Sequence, residues 1–249
     1  MSVYYELQTR VDSRDVDLFD QCRPSALLGL MQEAATQAAL ALGASGPEIK
    51  VKYNCLWMVT RNWVELDAPL RWNDEILIKT WHRGGSGAST YRDFDLFRDG
   101  KPIGQGTAVW VMVDVDSRKL FRLKQLEEFQ GTDGGELNKP IRLRGVKLPE
   151  QFSHRSRRDM RYSDTDINGH INNIHYADFA CDALHLEELG RGKFVRSFQV
   201  DYLSECKAGE TLWIDTAVGE DGVLLARGED ADGTARFDFT LTLEPLEGT

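Results

Sequence analysis

The 249-residue chain has no apolar run near the ~18 residues that a membrane-spanning helix requires. Its longest candidates, such as Ala108 to Val113, suit a buried strand. Integral membrane insertion is therefore not expected. Met1 to Arg10 shows neither the basic and apolar regions of a secretion signal nor the Arg/Ser-rich bias of a transit peptide. The four cysteines, Cys22, Cys55, Cys181 and Cys206, are widely separated, without paired CxxC spacing or the density of a disulfide scaffold. These absences point to reduced thiols and a cytoplasmic protein. Gly84-Gly85-Ser86-Gly87 lacks the Gly-Lys-Ser/Thr ending of a phosphate loop and reads as a hairpin turn. No cofactor or metal site is expected.

Excess positive charge is absent too. The net charge of -10 argues against nonspecific binding to nucleic acid or anionic lipid. One stretch runs the other way: Lys139, Arg142, Arg144, Lys147, Arg155, Arg157, Arg158 and Arg161 face only Glu150 and Asp159. It is either a solvated linker or a docking patch for an acidic partner.

What is present is enough for a folded core, with 41% hydrophobic residues. From Pro24 to Leu42, Leu27, Leu28, Met31, Ala34, Ala35, Ala38 and Leu42 recur at helical spacing, and Gly43 is placed to stop the helix. A second helix is expected from Asn172 or Asn173 to Gly190, with Tyr176, Phe179, Ala180, Ala183 and Leu184 on one face. Strands are expected at Cys55 to Leu66, Glu75 to Arg83, Ser89 to Arg98 and Lys101 to Val115. Further strands follow at Phe194 to Leu203, Thr211 to Val218, Val223 to Gly228 and Thr234 to Leu243. Val64-Glu65-Leu66 overlays Val200-Asp201-Tyr202, and Asp74 to Ile78 overlays Gly209 to Ile214 with one gap. Each half thus reads as a helix followed by an antiparallel sheet, an α+β arrangement. The expected domains are 1–130, a linker over 131–150, and 151–249.

The densest polar constellation is Ser163 to Asn173, just before the second helix. There a helix start offers backbone N–H groups to an oxyanion. Asp166, Asn168 and His170 alternate, so an extended segment would present carboxylate, amide and imidazole on one side. A polar loop that merely caps the helix is the plainer reading. Asp164, Asp166, Asn168 and Gly169 also fit the start of a calcium-binding loop. The twelfth position, however, is His175 rather than the required Glu. His82, His154 and His185 have no partner at useful spacing and read as surface or sheet residues. The tryptophans, Trp57, Trp63, Trp72, Trp81 and Trp110 among them, are expected in cores or along a ligand tunnel.

Asp166-x-Asn168-x-His170-x-Asn172-Asn173-x-x-Tyr176, followed by Glu205-Cys206, resembles the signature of the acyl-acyl carrier protein thioesterases of plants and bacteria. Trp63-Val64-Glu65, Trp72, Asp74, Thr80-Trp81, Arg92-Asp93, Trp110-Val111-Met112 and Arg118-Lys119-Leu120 resemble that family's amino-terminal region in order and spacing. The resemblance implies a tandem hotdog fold, two long helices each wrapped by an antiparallel sheet. The first half would shape an acyl pocket and the second would hold the catalytic Asp166, Asn168, His170 and Glu205. It implies hydrolysis of fatty acyl-acyl carrier protein in fatty acid synthesis, without cofactor. Glu205, or His170 supported by Asp166, would take the water proton. The expected partners are an acidic acyl carrier protein, docking through Arg155, Arg157 and Arg158, the fatty acyl chain, and a second copy of the chain as a homodimer. Cys206 as a covalent nucleophile is the rival mechanism. An acyl coenzyme A thioesterase and a non-catalytic acyl- or metal-binding module are the rival functions. The lack of an amino-terminal extension fits a bacterial member, and Gly169 stands where the plant enzymes carry a larger side chain.

Overall fold

A computed structural model describes residues 4–122, 143–219 and 221–246. Of the linker expected at 131–150, residues 131–142 lie outside the described residues, as do Lys139 and Arg142 of the basic stretch. The chain divides into two compact units, the first made of 1–10, 29–64 and 74–143, the second of 11–28, 65–73 and 144–249.

Unit 1 begins with strand β1 (Tyr4–Arg10), whose side chains alternate between exposed and half-buried. Helix α1 (Pro24–Ala41), of which residues from Gly29 on belong to this unit, and helix α2 (Gly46–Tyr53) come next. Leu27, Leu28, Met31, Ala34, Ala35 and Ala38 of α1 are buried, the stripe that the three-and-four spacing predicts. Strands β2 (Cys55–Leu66), β3 (Glu75–Ser86), β4 (Ser89–Arg98), β5 (Lys101–Asp114) and β6 (Leu120–Phe121) complete it. The sheet order is β1-β3-β4-β5-β2, with β6 on β5. Asp99 and Gly100 both take positive φ in the β4–β5 turn, as that dipeptide favours.

Unit 2 repeats the plan. Strand β7 (His154–Asp159) precedes helix α3 (His175–Ala183) and a single turn of helix, α4 (Leu186–Leu189). Strands β8 (Lys193–Tyr202), β9 (Thr211–Val218), β10 (Leu224–Glu229) and β11 (Ala235–Pro245) follow. Their order, β8-β11-β10-β9-β7, is that of unit 1 read from the other edge, and each neighbouring pair is antiparallel. The repeating element is therefore strand, helix, four strands, and the fold is a tandem hotdog. In the core Tyr176 of α3 packs against Phe179 of the same helix and against Phe237 of β11, the ring centroids 6.0 and 5.3 Å apart.

The second helix is shorter than its periodicity suggests. Ile171 N–H is held by Cys206 O at 2.8 Å and Asn172 N–H by Asp164 O at 2.8 Å, so the chain is still tied to its neighbours there and turns helical only at His175. His185 then adopts φ 56°, ending the run before α4. The face expected for it, Tyr176, Phe179, Ala180, Ala183 and Leu184, is buried. Trp72, expected in a core or tunnel, is 61% exposed. Among the described residues no helix is long and apolar enough to cross a membrane.

Candidate active site

The motif before α3 folds as a tight loop rather than an extended strand. Thr165 and Ile171 form an antiparallel bridge, and Asp166 N–H donates to His170 O at 2.8 Å. The Asp166 carboxylate organises what lies between. It accepts Asn168 N–H at 2.8 Å, the Asn168 side-chain amide at 3.1 Å and His170 N–H at 3.3 Å. An Asp side chain bonding backbone N–H groups two and four residues on closes the loop from within. Gly169 completes the turn with φ 76°.

The loop delivers the imidazole to a carboxylate from another segment. His170 Nε2 lies 3.4 Å from Glu205 Oε2, across 35 residues of sequence. The side chains are 29% and 43% exposed, so solvent water reaches both. The Asp166 carboxylate acts on the loop backbone and on Asn168, while Glu205 is the carboxylate beside the imidazole. Asp166, Asn168, His170 and Glu205 are thus brought together in one polar cluster.

Sequence reasoning did not find the group that holds Glu205 in place. Arg236 of β11 donates to Glu205 O at 2.6 Å and Ser204 Oγ at 3.0 Å, and its other nitrogen pairs with Asp230 at 2.7 Å. Leu203 N–H and Ser204 N–H return bonds to Arg236 O at 2.9 and 3.2 Å. Arg236 lies 31 positions from Glu205, and only the β8–β11 register, with Tyr202 opposite Phe237, brings them together.

Cys206 is fully buried, hydrogen-bonded to the Tyr176 hydroxyl, and burial raises its thiol pKa. An inaccessible protonated thiol is a poor nucleophile. At the start of α3, Ile174 N–H bonds Asn172 Oδ1, His175 N–H bonds Asn172 O, and Ala177 N–H bonds Ile174 O. These three donors, expected to face an oxyanion, are already engaged. Asp164 accepts from Arg158 and from Arg161 N–H at 3.3 and 2.8 Å.

Unit 1 contains a cavity of about 160 Å³. It is lined by Ala35 and Ala39 of α1, Trp57 of β2, His82 of β3, Arg92 of β4 and Trp110 of β5, among others. His82, set aside on sequence spacing, is buried there. Its contact with Thr90 depends on the β3–β4 hairpin, which linear spacing does not show.

The arginines considered for docking lie on β7 and are each paired within unit 2. Arg155 reaches Asp215 at 2.9 Å and Glu229 at 3.5 Å, Arg157 reaches Asp159 at 2.8 Å, and Arg158 reaches Asp164 at 3.3 Å and Asp182 at 3.6 Å.

Family models described as the acyl-ACP thioesterase N-terminal domain and the acyl-ACP thioesterase C-terminal domain match residues 2–129 and 148–242. The chloroplastic dodecanoyl-[acyl-carrier-protein] hydrolase of Cinnamomum camphora is 26% identical over 209 residues, covering 78% of this chain and 54% of that protein. The chloroplastic palmitoyl-acyl carrier protein thioesterase of Arabidopsis thaliana is 28% identical over 204 residues, covering 76% and 48%. The chain spans about half the length of these curated relatives. Among solved structures, an acyl-ACP thioesterase from Bacteroides thetaiotaomicron superposes with a TM-score of 0.88 at 22% identity, covering 98% of this chain and 100% of that one. The 12:0-ACP thioesterase from Umbellularia californica superposes with a TM-score of 0.86 at 18% identity, covering 99% of both. At these identities the structural likeness is one of fold.

Proposed function

Because the chain belongs to the acyl-acyl carrier protein thioesterase family, matching both of its domain models, we propose that it hydrolyses fatty acyl-acyl carrier protein to free fatty acid and carrier protein. The observation that carries the reading is the His170–Glu205 pair, 3.4 Å apart and open to water, with His170 on a loop braced by Asp166. A thioester carbonyl is electrophilic and its thiol has a pKa near ~8.5, so the leaving group needs little acid assistance and the main demand is an activated water. The pair takes a proton from that water as its oxygen adds to the carbonyl carbon. Collapse of the adduct breaks the C–S bond, and the proton passes to the departing sulfur. Asn168, tied to Asp166, orients the water or the carbonyl.

In this reading unit 2 supplies the chemistry and the apolar cavity of unit 1 lodges part of the acyl chain. The carrier docks on the basic face of β7, where Arg155 and Arg157 are each more than half exposed. Four free cysteines fit a reducing cytoplasmic setting.

Thiol release from palmitoyl and oleoyl carrier protein, and from the matching coenzyme A esters, tests the proposal with wild type, His170→Ala and Glu205→Gln in parallel. Release from carrier esters that falls at least ~100-fold in both variants is expected. Losses of only two- or threefold in both would remove the site assignment. Release from coenzyme A esters alone would move the activity to the other carrier, and no release from any ester would leave a binding protein.

A further inference from the structure

The cavity of unit 1 is not lined as a plain hydrocarbon pocket would be. At about 160 Å³ it is close to a cavity of ~150 Å³ that takes a benzene-sized group. Ala35, Ala39 and the Trp57 ring make much of its wall apolar. One face of the sheet adds polar groups. His82 stands opposite Arg92 across β3 and β4, and Thr90 opposite Trp110 across β4 and β5, so pairing places these side chains on a shared face.

His82 Nε2 lies 2.6 Å from Thr90 Oγ1, a hydroxyl that also reaches Gly84 O at 3.3 Å. Among the described residues, Arg92 and Trp110 have no side-chain partner that close. Arg92 is 7% exposed, and its guanidinium reaches Thr80 Oγ1 at a long 3.4 Å, a hydroxyl that donates its own proton to Asp93 O at 2.8 Å. No carboxylate among the described residues pairs with it, and burial alone pushes its pKa down to about 10. The buried indole Nε1 of Trp110 has no acceptor among the described residues, whereas Trp57 in the same wall donates to Ala44 O at 3.0 Å. A desolvated cation and a desolvated N–H are both costly when left without an acceptor. Both call for the same ligand feature, an acceptor oxygen beside a short apolar stretch.

We propose that this cavity selects chains carrying an acceptor oxygen, as hydroxyl, oxo or carboxylate, over unbroken hydrocarbon, with Arg92 and Trp110 donating to that oxygen. The inference deepens the reading of unit 1 as the acyl pocket and rests on it for the identity of the ligand as an acyl chain. A site built to hydrogen-bond a ligand oxygen rejects the analogue without it, because its own buried donors then stay unpaired.

Two readouts test this separately from the thioesterase reading. In calorimetric titration of the whole chain with ring-sized probes, benzyl alcohol or benzoate binds at least ~10-fold more tightly than toluene. Tightest binding of benzoate identifies a carboxylate-bearing chain, and equal binding of benzyl alcohol identifies a hydroxyl-bearing one. Trp110→Phe, which keeps the ring, and Arg92→Met, which keeps much of the volume, each shrink that preference. In turnover, 3-hydroxyoctanoyl or 8-hydroxyoctanoyl carrier protein exceeds octanoyl carrier protein in kcat/KM, again by at least ~10-fold. Toluene bound as tightly as benzyl alcohol and benzoate by wild type overturns the proposal, whatever the variants do. Preference for the oxygenated probes with no hydrolysis of any ester leaves the pocket inference standing and removes the thioesterase one. Efficient hydrolysis with no preference in either assay does the reverse.

Discussion

Arg236 grips the segment that carries Glu205 through two acceptors, Ser204 Oγ and Glu205 O, and is itself fixed by Asp230. It touches the backbone beside the carboxylate, so in the proposed reaction its role is to position. Arg236→Met should lower kcat about tenfold or more with KM changed less than about twofold, since a charge-assisted hydrogen bond is worth about 1.5–3 kcal/mol. Arg236→Lys should recover part of the loss, and equal changes in kcat and KM would contradict a positioning role. A second residue in unit 1 makes stability sensitive to pH. Asp93 is fully buried, receives Thr107 Oγ1 at 2.8 Å and pairs with Arg83 at 2.6 Å. Burial nevertheless pushes its pKa up to about 6, the Thr107 and Arg83 contacts offsetting only part of the shift. An unfolded Asp titrates near ~3.9. Between those values the folded chain holds a proton that the unfolded chain has lost, so the Asp93 contribution to stability falls as pH rises through the window. Asp93→Asn fixes the neutral state. Its stability relative to wild type, read from urea midpoints, should be more favourable at pH 7.5 than at pH 4.5 by about 2 kcal/mol. A difference that does not change with pH would contradict the shift.

At the scale of elements, two glycines test different constraints. Gly228 of β10 lies opposite Phe237 of β11, and a Cβ there would fall 2.1 Å from the Phe237 ring. That ring belongs to the unit 2 core, so Gly228→Ala should cost about 1–3 kcal/mol through overpacking, lowering Tm by roughly 2–4 °C per kcal/mol. Gly169 has φ 76° and no neighbour within 4 Å of its Cβ position. Gly169→Ala should therefore cost only the backbone strain of about 1–2 kcal/mol, and thermal scans that rank Gly169→Ala as the worse of the two would overturn both assignments. The same elements show how far the sequence could be read. Strands β2, β4 and β9 begin and end where their β-branched and aromatic patterns do. β1 and β7 were not legible because they are edge strands with no fully buried position, so they carry no apolar stripe to reveal them. β7 reads His-Arg-Ser-Arg-Arg-Asp and becomes a strand only because β9 offers it a ladder. Helix α2 did leave a signal, the Ser45 to Glu48 capping box with Pro47. The candidate loop was legible as a motif, but its shape was not: alternation suggested an extended segment, and Asp166 instead closes the loop on its own backbone. The His170–Glu205 contact follows from a matched motif and then from topology, whereas Arg236 and the Arg92–Trp110 face follow from strand register alone.

For the molecule as a whole, a net charge of -10 would repel an acidic carrier unless a local field of opposite sign opposed it. The arginines of β7 are the proposed source of one, although each is paired with a carboxylate and they are not equally free to act. Arg158 holds Asp164, whose side chain is 7% exposed, and Arg155 holds Asp215, whose side chain is 16% exposed. Changing either would disturb the fold around the candidate active site as well as the surface field. Arg157 is different: its side chain is 57% exposed and its carboxylate partner, Asp159, is itself 47% exposed, a class of pair worth about 0–1 kcal/mol. Arg157→Glu can therefore reverse a surface charge while leaving the fold intact. If β7 docks the carrier, the substitution should raise KM for carrier-bound substrate by about 3- to 10-fold and KM for the coenzyme A ester by less than about twofold, with kcat unchanged. The carrier effect should shrink as salt is raised toward ~0.5 M, because the screening length then falls to a few ångströms. Equal effects on both substrates, or an effect that salt does not diminish, would place the carrier on another surface and leave the basic face of β7 as a solvated edge whose charges serve its own carboxylates.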